Sequence, residues 1–97
     1  MSCNQVELSG RLVAMEPLRF TPAGIPVVNF RLAHSSSQIE AGIGRLVQCE
    51  IAAIAVGQLA EQISKRRPEQ ECMVRGFIAA RSRNSSQIVL HVNEIRF

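Results

Sequence analysis

The chain has 97 residues, a length that suits one domain around one core and leaves a second independent core cramped. Its 11 Lys+Arg against 8 Asp+Glu give a formal net charge of +3, a mild basic excess compatible with nucleic acid. No apolar run reaches membrane-spanning length, and the opening M-S-C-N-Q-V-E-L lacks the basic and apolar regions of a secretory signal, so a cytoplasmic protein is expected.

Along the chain, Val6, Leu8, Gly10 and Leu12 alternate with Glu7, Ser9, Arg11 and Val13. This period of two predicts a first strand over about residues 5–15. Gly10 on its apolar face implies a sharp bend or a close backbone approach. Pro22, Gly24 and Pro26 fall within a five-residue turn that no helix interior or central strand would tolerate. Beyond it Val28, Phe30 and Leu32 alternate with Asn29, Arg31 and Ala33, predicting a second strand over about 27–35. The two strands are expected to form a long antiparallel hairpin, with arginines on its polar face, that the other strands close into a barrel. Residues 35–44, S-S-S-Q-I-E-A-G-I-G, are small, polar and Gly-bearing, and predict a mobile loop. A third strand over about 45–54 carries Val47, Cys49, Ile51 and Ala53 on one face and Gln48 and Glu50 on the other.

The period then changes. Leu59, Ala60 and Ile63 fall at helical spacing, Glu61 and Lys65 are four apart, and Pro68 stops the run, predicting a short helix over 58–66. The Lys65-Arg66-Arg67 run suits the negative end of that helix's dipole. A fourth strand over 71–81 puts Val74, Gly76 and Ile78 on one face and Arg75 and Phe77 on the other. The polar tip R-S-R-N-S-S-Q and a fifth strand over 88–96 complete the chain. The class is all-β, in one domain over residues 1–97. Five strands with one short helix between strands three and four is the order of an OB-fold, a five-stranded Greek-key barrel.

Catalytic chemistry finds no foothold: no phosphate loop, nucleophile elbow or H-E-x-x-H occurs, and neither a metal nor a cofactor is implied. Cys3, Cys49 and Cys72 are odd in number with no C-x-x-C, so reduced thiols are expected, Cys49 and Cys72 in the core. His34 and His91 are expected to be isolated surface or interface residues.

Four motifs, L-S-G-R-L (8–12), T-P-A-G-I-P-V-V-N-F-R-L-A (21–33), G-Q-L-A-E (57–61) and V-R-G-F-I (74–78), occur in the order seen in bacterial single-stranded DNA-binding proteins. The chain resembles that family over nearly its full length. P-L-R-F-T-P-A-G-I-P (17–26), Q-I-E-A-G-I-G-R (38–45) and V-L-H-V-N-E-I (89–95) liken it to the short members that work in the replication-restart primosome. The resemblance implies a homodimer of OB-folds that binds single-stranded DNA and helps to reload the replicative helicase with the PriA helicase and the DnaT protein. It implies no membrane. Housekeeping members carry a long acidic-tipped tail. Here strand five leads directly to Phe97 and the sequence has no Asp, so no such tail is expected.

Single-strand binding needs a cationic track for phosphates and flat surfaces for bases. The candidate cations are Arg19, Arg31, Arg45, Arg75, Arg81 and Arg83. By the resemblance, Arg81 and Arg83 open the family's basic loop and Arg45 matches a family position. Gln48 stands where well-known members carry a DNA-stacking tryptophan, and Ile43 where they carry a nearby phenylalanine. The chain has no Trp, no Tyr and four Phe. Phe30 alternates with core residues; Phe20 and Phe77 are the candidates for stacking on bases. Because each stacked base contributes ~1–3 kcal/mol, these departures imply weak binding driven mainly by charge. The competing reading is a protein-interaction OB module with weak or vestigial nucleic-acid binding.

Overall fold

Alternating strand sequences with only one helical stretch fold as the periodicities require. In the computed structural model, which describes residues 2–97, the order is β1 (Val6–Val13), β2 (Arg19–Phe20), β3 (Pro26–Glu40), β4 (Ile43–Val56), α1 (Gln58–Ser64), β5 (Glu71–Ala80) and β6 (Ile88–Arg96). The sheet runs β1-β5-β6-β4-β3, β1 also pairs β3, and the two-residue β2 hangs on the start of β3. The β1–β3 pairing closes a five-stranded barrel with α1 between its third and fourth strands. This is the OB-fold connectivity expected from the sequence.

The inward faces are those the alternation picked out. Leu12, Val28, Phe30, Leu32, Ala53, Ala55, Val74, Leu90 and Val92 fill the barrel. Fully burying side chains of this size stabilises by roughly 1.5–3 kcal/mol each for Val, Leu or Phe. The helix adds Ala60 and Ile63, both fully buried. Seven residues are too few for a helix to persist alone, and no side chain caps its start, so this packing holds it.

Gly10 and Gly76 are close-approach positions. A Cβ on Gly10 would collide with the carbonyl oxygen of Ala33, and one on Gly76 with that of His91. At Gly76 the obstacle is strand backbone alone; at Gly10 it is strand backbone together with the core side chain of Leu32, whose Cγ would lie 2.9 Å away. At Gly76 the β5–β6 register also shifts, between Arg75 and Gly76, which bends the wall there.

Three expectations are corrected. The long hairpin is not made by the first two predicted strands. β1 meets β3 only from Arg11↔Ala33 to Val13↔Arg31, because most of its length is paired with β5 from Val6↔Gly76 to Arg11↔Glu71. The long hairpin is β3–β4, an unbroken ladder from Val27↔Val56 to Glu40↔Ile43. Residues 35–44 are therefore strand and turn, not a loop: Ala41 and Gly42, with φ of 53° and 78°, form a tight two-residue turn. Cys49 is exposed on the projecting part of β4, beyond the core, whereas Cys72 is buried as expected. Burial pushes the Cys72 thiol pKa up. The projecting hairpin stretches the molecule to 50 × 34 × 23 Å, with a radius of gyration of 14.5 Å. A compact chain of this length would have about 12.5 Å.

Candidate nucleic-acid interface

The outward faces of β3 and β4 form the floor of a groove of ≈ 480 Å³. One bank is the segment between β1 and β3, with Ala14, Glu16 and Arg19; the other is the end of β5 and β6, with Ala80, Arg81, Val89 and His91. Asn29, Arg31, Ala52 and Ile54 lie between them. In an OB-fold, the face of these two strands and the two flanking loops are where oligonucleotides bind.

The candidate side chains divide around this groove. Arg19, Arg31 and Arg81 line it together, opposed by one acid in its lining, Glu16. Arg19 donates from Nη2 to Asn29 Oδ1 at 2.9 Å, which fixes its guanidinium beside the floor. Arg31 donates from Nε to Glu50 Oε1 at 3.0 Å, an exposed pair whose attraction is modest. Among the described residues no carboxylate pairs with Arg81 or Arg83. The loop carrying them is folded back by Arg81 N donating to Gln87 O at 2.9 Å, and Arg83 stands exposed near its tip.

Gln48 is exposed on β4 and shares the outward face of Ala52 and Ile54, about 13 Å along the strand from Ala52 at ~3.3 Å per residue. Arg45 lies on the opposite face of the hairpin and donates to Glu40 Oε1 at 2.5 Å. Arg75 is drawn away from the groove: Nε donates to Glu7 Oε2 at 2.5 Å, and Nη1 lies 3.6 Å from Glu94 Oε2. The Glu7 hydrogen bond and the charges of Glu7 and Glu94 hold its pKa above the ordinary guanidinium value. Arg75 thus serves first as the centre of a charge network joining β1, β5 and β6.

The aromatic residues hold what sequence reasoning missed. Phe77 stacks on His91, with ring centroids 5.0 Å apart and planes 7° from parallel, so His91 is not isolated. The only sequence signal was the outward parity of both residues; their pairing needed the β5–β6 register. His34 is not isolated either: Nδ1 donates to the Ser9 carbonyl at 2.6 Å and the Ser36 hydroxyl lies 2.7 Å from Nε2, tying β3 to β1 beyond their ladder. Phe97 carries the Arg66 guanidinium 3.9 Å above its ring, and Phe20 is exposed on β2. Among the described residues no group of three or more His, Cys, Asp or Glu could hold a metal, and no helix is long and apolar enough to cross a membrane.

A family described as "another single-strand binding protein family" matches residues 4–94. The replication restart protein PriB of Nitrosomonas europaea is 42% identical over 93 residues, 96% of this chain and 86% of that protein. The chain belongs to the PriB family of single-strand binding proteins. The solved PriB structure from Ralstonia solanacearum superposes with a TM-score of 0.87 at 32% identity, covering 98% of this chain and 97% of that one. The wild-type single-stranded DNA binding protein of Thermus aquaticus shares the fold, with a TM-score of 0.76 at 24% identity over 97% of this chain and 49% of that one.

Proposed function

We propose that this protein binds single-stranded DNA along the β3–β4 groove as an accessory of replication restart, bridging DNA and restart proteins while the replicative helicase is reloaded. The observation that carries the reading is the convergence of Arg19, Arg31 and Arg81 on one OB groove in a relative of replication restart proteins. Three guanidiniums against one lining carboxylate attract a polyanion, and an open groove of ≈ 480 Å³ suits an extended strand better than an enclosed metabolite. The protein acts by binding and carries out no chemistry of its own. Its setting is the cytoplasm, and its partners by family resemblance are the PriA helicase and DnaT.

Arg83 extends the track onto the β5–β6 loop, with Gln48 further out on the groove face of the hairpin; Arg45, on the opposite face and paired with Glu40, is reached only where the strand wraps around the hairpin. Arg75 takes part only if DNA displaces its carboxylates. The working unit is a homodimer. From Val6 to Leu8 the edge of β1 opposite β5 has no strand partner among the described residues, and an open edge of this kind favours pairing with a second copy. Sedimentation at micromolar concentration is expected to give the dimer mass; a clean monomer rules the dimer out.

Fluorescence anisotropy with a labelled oligonucleotide over a range of salt concentrations tests DNA binding. Affinity is expected to fall log-linearly with salt, at a slope of about 0.7 per phosphate contacted. Replacing Arg81 and Arg83 by Ala together is expected to weaken binding equally for all sequences and to make the slope shallower by about 1.4 when both contacts go. Salt-insensitive binding, or a double variant with the wild-type slope, contradicts the reading.

A further inference from the structure

Phe77 is one of four phenylalanines in a chain without Trp or Tyr, yet it is 39% exposed. Its stacking on His91 accounts for part of this, since cross-strand aromatic pairs stabilise sheets. It does not account for what surrounds the pair. Asn29, Ile54, His91 and Phe77 are successive cross-strand neighbours on β3, β4, β6 and β5, forming one row across the outer surface. Arg19 is bonded to the first member of that row. His91 lines the arginine groove and also, with Phe77, a second open depression of ≈ 320 Å³ floored by Ile54, Val56 and Leu59 and edged by Asn93. The two depressions therefore meet at the stacked rings. One side offers cations, and the other offers a flat apolar surface with an amide at its rim. A ligand that fills both is anionic along its backbone and carries flat rings as side groups.

We propose that the Phe77–His91 stack is a base-binding platform: one unpaired base lies against the ring pair, over Ile54 and Val56, while Arg19, Arg31 and Arg81 hold the adjoining phosphates. This rests on the single-strand reading above and adds to it a stacking surface on β5 and β6, away from Gln48. It gives this chain a base contact despite the missing tryptophan.

The test compares a thymidine oligonucleotide with an abasic tetrahydrofuran strand of equal length, so that phosphates are kept and bases removed. Phe77→Trp gives the protein a sole tryptophan as reporter. Its emission is expected to be quenched when the thymidine strand binds and to stay unchanged when the abasic strand saturates the protein. A sole tryptophan at Phe97, beside Arg66, is the control and is expected to be unaffected by either strand. Phe77→Ala and His91→Ala are each expected to weaken thymidine binding about five- to a hundredfold, with the abasic affinity and the salt slope unchanged. An unquenched Phe77→Trp at saturation overturns the platform, as does an equal loss on both strands; in either case charge-driven binding by the wild type still stands. Failure of the wild type to bind either strand at low salt removes the single-strand reading itself.

Discussion

The inner halves of β3 and β4 are barrel wall, and the outer halves of the same two strands stand free of it. In the wall Phe30 is 2% exposed and packs with Leu32 and Ala53; on the projection Ile39, Ile43 and Leu46 are 74%, 70% and 62% exposed. The hydrogen-bond ladder is equally regular in both halves. Backbone pairing therefore does not distinguish them, and side-chain burial does. A ladder with a sound turn can carry a two-stranded ribbon away from the core, but such a ribbon is only marginally stable unless something packs on it. Most of the free energy of folding must reside in the barrel, while the projection is available for partners or DNA.

The largest effect expected to sharpen this contrast comes from making one substitution in both regions. Gly76→Val drives a side chain into the His91 carbonyl, so about 3 kcal/mol or more of stability is expected to be lost. Gly44→Val, on the projection, meets nothing closer than the Ile39 Cδ1 at 3.9 Å. It also gains β propensity, so a change within about 0.5 kcal/mol is expected. Urea midpoints at a constant m-value measure both. A Gly44→Val loss as large as that of Gly76→Val would mean that the projection is part of the cooperative core.

The contrast also explains what could be read from the sequence. Every barrel strand was legible because one face of it is buried, so selection for a core writes a period of two into residues such as Val28, Phe30 and Leu32. The glycines at positions 10 and 76 are legible as inward-facing anomalies; at Gly10 the obstacle includes the core side chain of Leu32, whereas at Gly76 it is strand backbone alone. Residues 35–44 were not legible. Neither face of that ribbon is buried, so Ser35, Ser36, Ser37 and Gln38 carry no alternation, and Ala41-Gly42 lacks the Asn-Gly that announces a tight hairpin. Cys49 was misplaced for the same reason: alternation gives its face but not where along the strand the core ends. Within the groove, arginines could be named as candidates but not sorted. Arg19 and Arg81 have the same sequence character as Arg75, and only the positions of Glu7 and Glu94 across three strands separate them.

A second, smaller effect concerns binding. Gln48 sits on the projection's outward face, in line with the groove floor, so a flat side chain there would extend the groove instead of building a new site. Gln48→Trp is expected to tighten single-strand binding by ~1–3 kcal/mol without steepening the salt slope, because it adds stacking and no charge. Anisotropy titrations at two salt concentrations measure this. Tightening that disappears on an abasic strand identifies stacking as the cause, and no tightening at all would place the DNA path off the projection.

The smallest effect tests whether the projection melts by itself. Ala41 holds a φ of 53° in the turn, a region where a residue with Cβ and no local hydrogen bond is disfavoured and asparagine is at home. Ala41→Asn creates the Asn-Gly pair and is expected to stabilise the turn by up to about 1 kcal/mol. The place where this gain appears is decisive. If residues 35–48 open while the barrel stays closed, the gain raises amide protection at Gln38, Glu40, Ile43 and Arg45, whose N–H groups point into the ladder, by about fivefold for 1 kcal/mol, and leaves the urea midpoint where it was. If the ribbon and the barrel unfold together, protection at the tip changes little and the midpoint rises by the full amount. The exposed side chains on the projection favour the first outcome, since the ribbon has only its ladder and its turn to hold it. Hydrogen exchange read alongside the urea transition separates the two, and a shifted midpoint would place the long hairpin inside the barrel's cooperative unit.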